Sequence, residues 1–189
     1  MSPILGARGG LAASAYGFTS AAAAVGDYES IQTYTVGSGG SATITFSSIP
    51  STYTHLQVRC LTLSGSTSGD VRMQFNSDTG TTYSIHNLFG DGATVTAQGS
   101  ANTTYITGAF SGSTTQPGVS VIDILDYADT NKYKTARILA GLDVNGAGGY
   151  ALFSSGVWRN TAAVTSITFF INAVDLNQYS SFALYGIKG

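Results

Sequence analysis

His55 and His86 are the two imidazoles in the chain that can act as a base for a serine or threonine nucleophile. No Gly-x-Ser-x-Gly elbow accompanies them. The segment Gly65-Ser-Thr-Ser-Gly69 has glycines at both ends, but Thr67 stands at its centre. His55 lies on the more polar side of an alternating run, and His86 sits among Tyr, Ser and Asn, so both read as surface or interface histidines. Acids cluster at Asp123, Asp126 and Asp129. Glycosidase chemistry needs two carboxylates facing each other across a cleft. Asp126 and Asp129 instead bracket turn residues, where aspartate caps its own backbone. A structural role is expected for them, with a carboxylate metal site as the alternative. Asn76-x-Asp78-x-Gly80 resembles the start of a calcium loop, but Asn87 stands near the place where a bidentate Glu is wanted. Two glycine clusters, Gly37-x-Gly39-x-x-Ala42 and Gly146-x-Gly148-x-x-Ala151, come near a phosphate-loop pattern. That pattern needs a helix N-terminus behind it. Both clusters run into strand-like residues, so they are expected to be hairpin glycines. No cofactor and no catalytic residue is assigned, and no Cys/His set suits zinc.

The elements that would position these residues are strands. From Ile31 onward the apolar period is 2 almost everywhere. Residues 31–36 and 42–46 flank Gly37-Ser-Gly-Gly and read as a hairpin. Leu56, Val58, Cys60 and Thr62 share one face of the next run, opposite Tyr53, His55, Gln57 and Arg59. Val71, Met73 and Phe75 oppose Arg72 and Gln74. Residues 83–89 resume a strand, while 93–97 and 104–110 are weaker candidates. Val121, Ile122, Ile124 and Leu125 make 119–127 apolar on both faces, which suggests a central strand. Ala136, Ile138, Ala140 and Leu142 oppose Thr135, Arg137 and Leu139. Residues 150–159, 164–173 and 178–187 complete about ten strands, with no convincing amphipathic helix. The expected fold is all-β: an antiparallel β-sandwich, jelly-roll-like, over residues 29–189. Residues 1–28 fit neither period and form an expected extended Gly/Ala-rich arm. Its spaced groups Ile4, Leu5, Arg8, Leu11, Tyr16 and Phe18 would dock on a partner.

Composition narrows the class. The chain of 189 residues holds 8 Lys and Arg and 10 Asp and Glu, or 10% charged residues, where soluble domains average about 25%. Gly, Ser, Thr and Asn take the place of the missing charge, so the exterior is neutral and hydroxyl-rich, or covered by another chain. No basic run exists, so no nucleic-acid footprint is present. The apolar stretch 21–25 is too short to insert in a membrane. Arg8 is followed by no apolar core of a leader, so the chain reads as made and folded without export, and Asn102-Thr-Thr as a glycosylation sequon in form only. Cys60 is the single cysteine and reads as a small buried hydrophobe. The aromatic residues remain: 11 Tyr, 9 Phe and Trp158. Tyr53, Tyr105, Tyr127 and Tyr133 fall on polar strand sides or in loops. Such rings suit protein interfaces or sugar stacking. Tyr53, Tyr105, Tyr150 and Trp158 are the candidate receptor or interface residues.

Several phrases resemble structural proteins of tailed bacteriophages from aquatic and cyanobacterial hosts. They are Ile49-Pro-Ser-Thr-Tyr-Thr-His-Leu-Gln-Val-Arg59, Phe75-Asn-Ser-Asp-Thr-Gly80, Ile122-Asp-Ile-Leu-Asp-Tyr127, Trp158-Arg-Asn-Thr-Ala-Ala163 and Tyr179-Ser-Ser-Phe-Ala-Leu-Tyr-Gly-Ile-Lys188. Leu5-Gly-Ala-Arg-Gly-Gly10 is similar to the docking end of phage fibre-like proteins. The resemblance implies a virion component that is not an enzyme, often trimeric, fixed to the particle by its N-terminal segment. It points first to a tail-fibre or baseplate-attached protein. Its partners would be other virion proteins, copies of itself as a homotrimer, and host surface glycan. A capsid decoration protein latched to the head is the alternative. A glycan-degrading depolymerase running on Asp alone is the third reading.

Overall fold

Alternating runs bounded by Gly, Asn and Asp turns become twelve strands, all paired antiparallel. The computed structural model describes residues 27–65, 69–145 and 148–189. The strands are β1 (Tyr28–Thr35), β2 (Thr43–Phe46), β3 (His55–Thr62), β4 (Asp70–Phe75), β5 (Tyr83–Gly90), β6 (Val95–Thr103), β7 (Ile106–Phe110), β8 (Gly118–Leu125), β9 (Lys134–Leu142), β10 (Tyr150–Trp158), β11 (Ile167–Ile171) and β12 (Ser181–Ile187). They form an eight-stranded sheet, β1-β12-β3-β8-β9-β10-β5-β6, and a four-stranded sheet, β2-β11-β4-β7. Period-2 burial puts one face of each sheet into a shared core, which makes a β-sandwich.

The strand order is that of a jelly roll with two additions. The quartets β1-β12-β3-β8 and β2-β11-β4-β7 carry the eight-strand double Greek key, in which the chain passes between sheets at every step except β4 to β7, which pair in the narrow sheet. The hairpins β5–β6 and β9–β10 are inserted into it and widen only the first sheet. β7, at the edge of the narrow sheet, packs across β8, β9 and β10 and reaches β5. The inner face of the β5–β6 hairpin therefore projects beyond the four-stranded sheet.

Several expectations are corrected here. Residues 31–36 and 42–46 do not pair: β1 joins β12, β2 joins β11, and Gly37–Gly40 carries the chain from one sheet to the other. Only the second glycine cluster closes a hairpin, between β9 and β10. Strand β8 is central in its sheet, but one side is open: Val119, Val121 and Leu125 are exposed while Ile122 and Ile124 are buried. The strands number twelve where about ten were expected. The weak candidates 93–97 and 104–110 become the longer β6 and the short β7. Tyr28, placed at the end of the arm, is the first residue of β1 and pairs with Ile187.

The core is aromatic at both ends. Phe169 packs against Phe182, ring centroids 5.1 Å apart, and edge-on to Phe46 at 6.3 Å. Trp158, Tyr83 and Phe75 form the other cluster. Gly156 of β10 faces inward because Ile106 fills the space a Cβ would take: its Cγ2 lies 2.5 Å from that position. Lys134 is fully buried, and its ammonium donates to the carbonyls of Asp129, Lys132 and Thr161. Burial holds its pKa below the ordinary lysine value.

Candidate interaction surface

The outward face of the eight-stranded sheet is not uniformly polar. Register aligns Ala97, Leu88, Phe153, Leu139, Val121 and Arg59 in one row across β6, β5, β10, β9, β8 and β3. Leu139 is 65% exposed, Leu88 and Phe153 49% each, and Val121 37%. The adjacent row, Val95, Gly90, Ala151, Gly141 and Val119, is also apolar and carries exposed Val95 and Val119. Together the rows form a band five strands wide, roughly 20 Å at normal strand spacing. Glycine and alanine keep its second row low, while Leu139 and Phe153 stand above the surface. Single exposed apolar residues are ordinary on a protein surface; a contiguous band marks a contact surface.

Apart from Arg59 at the end of the first row, charge falls in the next row, His86, Ser155, Arg137, Asp123, Gln57 and Tyr185. Within that row the charges close on themselves. Arg137 Nη2 lies 3.3 Å from Asp123 Oδ2, and Gln57 Nε2 donates to Asp123 Oδ1 at 2.8 Å. Gln57 Oε1 accepts from the Tyr28 hydroxyl at 2.8 Å and from Arg59 Nε at 3.3 Å. Tyr28 and Tyr185 stack 4.8 Å apart, with the Arg59 guanidinium 5.7 Å from each ring centre. Burial raises the Tyr28 pKa, with Arg59 opposing it. The row is a hydrogen-bonded border to the apolar band, with its charges largely neutralised.

The aspartates expected to cluster are divided between two roles. Asp123 belongs to this border. Asp126 and Asp129 share Lys132, at 2.6 and 3.5 Å. His55 Nδ1 accepts the Asp126 backbone N–H at 3.0 Å, so the imidazole is tied to the turn rather than held beside a nucleophile. Asp78 accepts from Gly80 N–H at 2.8 Å, Thr82 Oγ1 at 2.8 Å and Trp158 Nε1 at 2.7 Å, so its loop is closed by protein donors. Among the described residues, no three His, Cys, Asp or Glu side chains are grouped to hold a metal. Cys60 is buried, and burial pushes its thiol up to about 12.

The four aromatic candidates fall in different places. Trp158 is 1% exposed and is a core residue; its indole reaches inward to the Asp78 turn rather than outward. Tyr53 is half-buried, lies on Gly186 and donates to Glu29 Oε2 at 2.7 Å. That bond to a carboxylate, more than burial, raises its pKa. Tyr150 packs on Phe110 and Phe89, at 5.1 and 6.3 Å. Tyr105 lies under the Arg72 guanidinium at 4.1 Å. Tyr127, expected in a loop, is fully buried and bonds the Pro50 carbonyl, whereas Tyr133 is exposed. The arm residues Ile4, Leu5, Arg8, Leu11, Tyr16 and Phe18 lie outside the described residues, as do the centre of the Gly65–Gly69 loop and Gly146. Sequence reasoning did not select Leu88, Leu139 and Phe153. Their signal was there to be read: each is a large apolar residue at the polar phase of its strand.

Compared with protein-family models, with curated proteins and with solved structures, the chain shows no match.

Proposed function

We propose that this chain is a non-enzymatic structural component of a tailed-phage virion, a tail-fibre or baseplate-attached protein that works as a homotrimer. In this reading the eight-stranded sheet is the face between subunits, and residues 1–26 dock the trimer on the particle. The observation that carries it is the exposed row Leu88, Phe153, Leu139 and Val121 beside a self-neutralised polar border. Such a row gains by leaving water and offers little net charge to repel another copy. Three copies around one axis can bury it without leaving an open end. The resemblance of several sequence phrases to phage structural proteins supplies the setting.

Immunogold labelling of purified particles is the test. Label on the tail is expected. Label on the head reassigns the chain to capsid decoration, and unlabelled particles overturn the proposal. Light scattering at micromolar concentration is expected to give a trimer; a monomer overturns the assembly half. Removing residues 2–26 is expected to leave a folded β domain that no longer enters particles.

A further inference from the structure

The two sheets end in four edge strands, and three of them are blunted. β2 is only 4 residues long. β7 has 5, carries a bulge at Gly108 and packs across the wider sheet. β1 is interrupted by a bulge at Ile31 and bears Glu29. Short strands, bulges and charges are the usual guards of a sheet edge, because a bare edge pairs with any extended chain it meets.

β6 lacks these guards along most of its length. It spans 9 residues, is exposed over nearly all of them and pairs with β5 alone. No charged residue occurs between Asp91 and Asp123, and the first proline after Asp91 is Pro117. Its one bulge, at Asn102 with φ +58°, comes at the end of the strand. Arg159 Nη2 holds it there by donating to Asn102 Oδ1 at 2.7 Å. Residues 95–101 remain as a straight run, and the N–H and C=O groups on its far side meet no backbone partner among the described residues.

We infer that β6 pairs antiparallel with β6 of a second copy, so that two eight-stranded sheets become one. The pattern of the strand commits the edge to itself. Val95, Ala97, Gly99 and Ala101 share one face and are small or apolar; Thr96, Gln98 and Ser100 share the other and are polar. A two-fold axis at Gln98 sets Val95 against Ala101, Thr96 against Ser100, Ala97 against Gly99, and Gln98 against its own copy. Each pair joins like with like, and no charge stands opposite another. This register uses every residue before the bulge, and a slip of one residue would set the apolar face against the polar one. The contact is main-chain bonding along a short strand with small side chains. It belongs with weak interfaces, those below about 1,200 Å², and forms when copies are concentrated. The edge is a different surface from the outward apolar band, so the inference does not rest on the trimer or the virion reading.

The full chain is compared at about 10 μM and about 1 mM by sedimentation and by amide hydrogen exchange. Between the two concentrations the mean mass is expected at least to double, whatever species the dilute sample holds. The amides of residues 95–101 are expected to gain at least tenfold protection. The dilute mass tests the trimer and the change in mass tests the edge, so either reading can fail alone. T96K combined with S100K sets like charges opposite each other twice and is expected to abolish the doubling. T96K combined with S100E sets opposite charges there and is expected to retain it. Constant mass with unchanged exchange overturns the inference. So does doubling that survives T96K with S100K, or doubling lost from both double variants. Protection of 95–101 that is already complete at the lower concentration, with constant mass, puts another segment of the same chain on the edge and also overturns it.

Discussion

The indole N–H of Trp158 donates to Asp78 Oδ2 at 2.7 Å and so ties the end of β10 to the turn after β4. The same carboxylate accepts from Thr82 and Gly80, and the Tyr83 hydroxyl donates to the Asp78 carbonyl at 3.1 Å. Trp158 stacks on Tyr83 at 6.3 Å, so the aromatic cluster and the turn form one unit. Asp78→Ala strands the indole N–H and is expected to cost about 1–3 kcal/mol, read by urea denaturation followed through Trp fluorescence.

Acid supplies a second reading of that carboxylate. Burial pushes the Asp78 pKa up, but the bonds from Trp158, Thr82 and Gly80 together outweigh it and leave the pKa below the usual value. The unfolded chain therefore takes up this proton at higher pH than the folded one. Its contribution is complete above about pH 4 and is lost as pH falls through the depressed folded pKa. Asp78→Asn is expected to lose less stability than the parent chain between pH 5 and pH 2. Equal acid losses in the two proteins would assign the pH dependence to other carboxylates.

Lys134 stays buried because three main-chain carbonyls receive its ammonium. Lys134→Met keeps the apolar stem but leaves those carbonyls without a donor. A loss of about 2–4 kcal/mol is expected in chemical denaturation. An unchanged midpoint would mean that water satisfies the 129–132 turn equally well.

Gly186 is where β12 admits the Tyr53 ring. An added Cβ would lie 2.3 Å from Tyr53 Cγ. Gly186→Ala is expected to destabilise the domain by about 1–3 kcal/mol. In a Tyr53→Ala background the same change is expected to cost far less, and the double-mutant cycle measures the difference.

Leu139 is the most exposed large residue of the outward row. Leu139→Lys is expected to leave the melting of the isolated domain within about 0.5 kcal/mol of the parent, since surface changes rarely do more. Its effect is expected in light scattering, as a shift from trimer to monomer. A trimer that tolerates both Leu139→Lys and Phe153→Lys must use another face.

Alternation made the faces of β3, β4 and β9 legible, down to Leu56, Val58 and Cys60 inside and Gln57 and Arg59 outside. Partnering across the sandwich was not legible. The glycines between β1 and β2 have the composition of a hairpin loop, and nothing local distinguishes a hairpin from a crossing between sheets. That choice is made by β12 and β11, more than a hundred residues away. Trp158 misled for a related reason. Its polar N–H suggests an exposed edge, but Asp78 meets that group inside. Asn87 stands at an inward phase of β5, where alternation alone leads one to expect an apolar residue.

Tyr28 pairs with Ile187, and Lys188 N–H donates to the Asp27 carbonyl at 2.9 Å. Both ends of the described chain thus leave from one corner of the sandwich. The 91–94 turn between β5 and β6 lies at the opposite end of the same sheet, roughly 25 Å away along the strand direction for strands of this length. This gives the domain a polarity like that of a bracket. Whatever grips residue 27 sets which way the far loops look, and a tag fused after Gly189 sits beside the grip. Labels intended for the outer tip belong in the 91–94 loop.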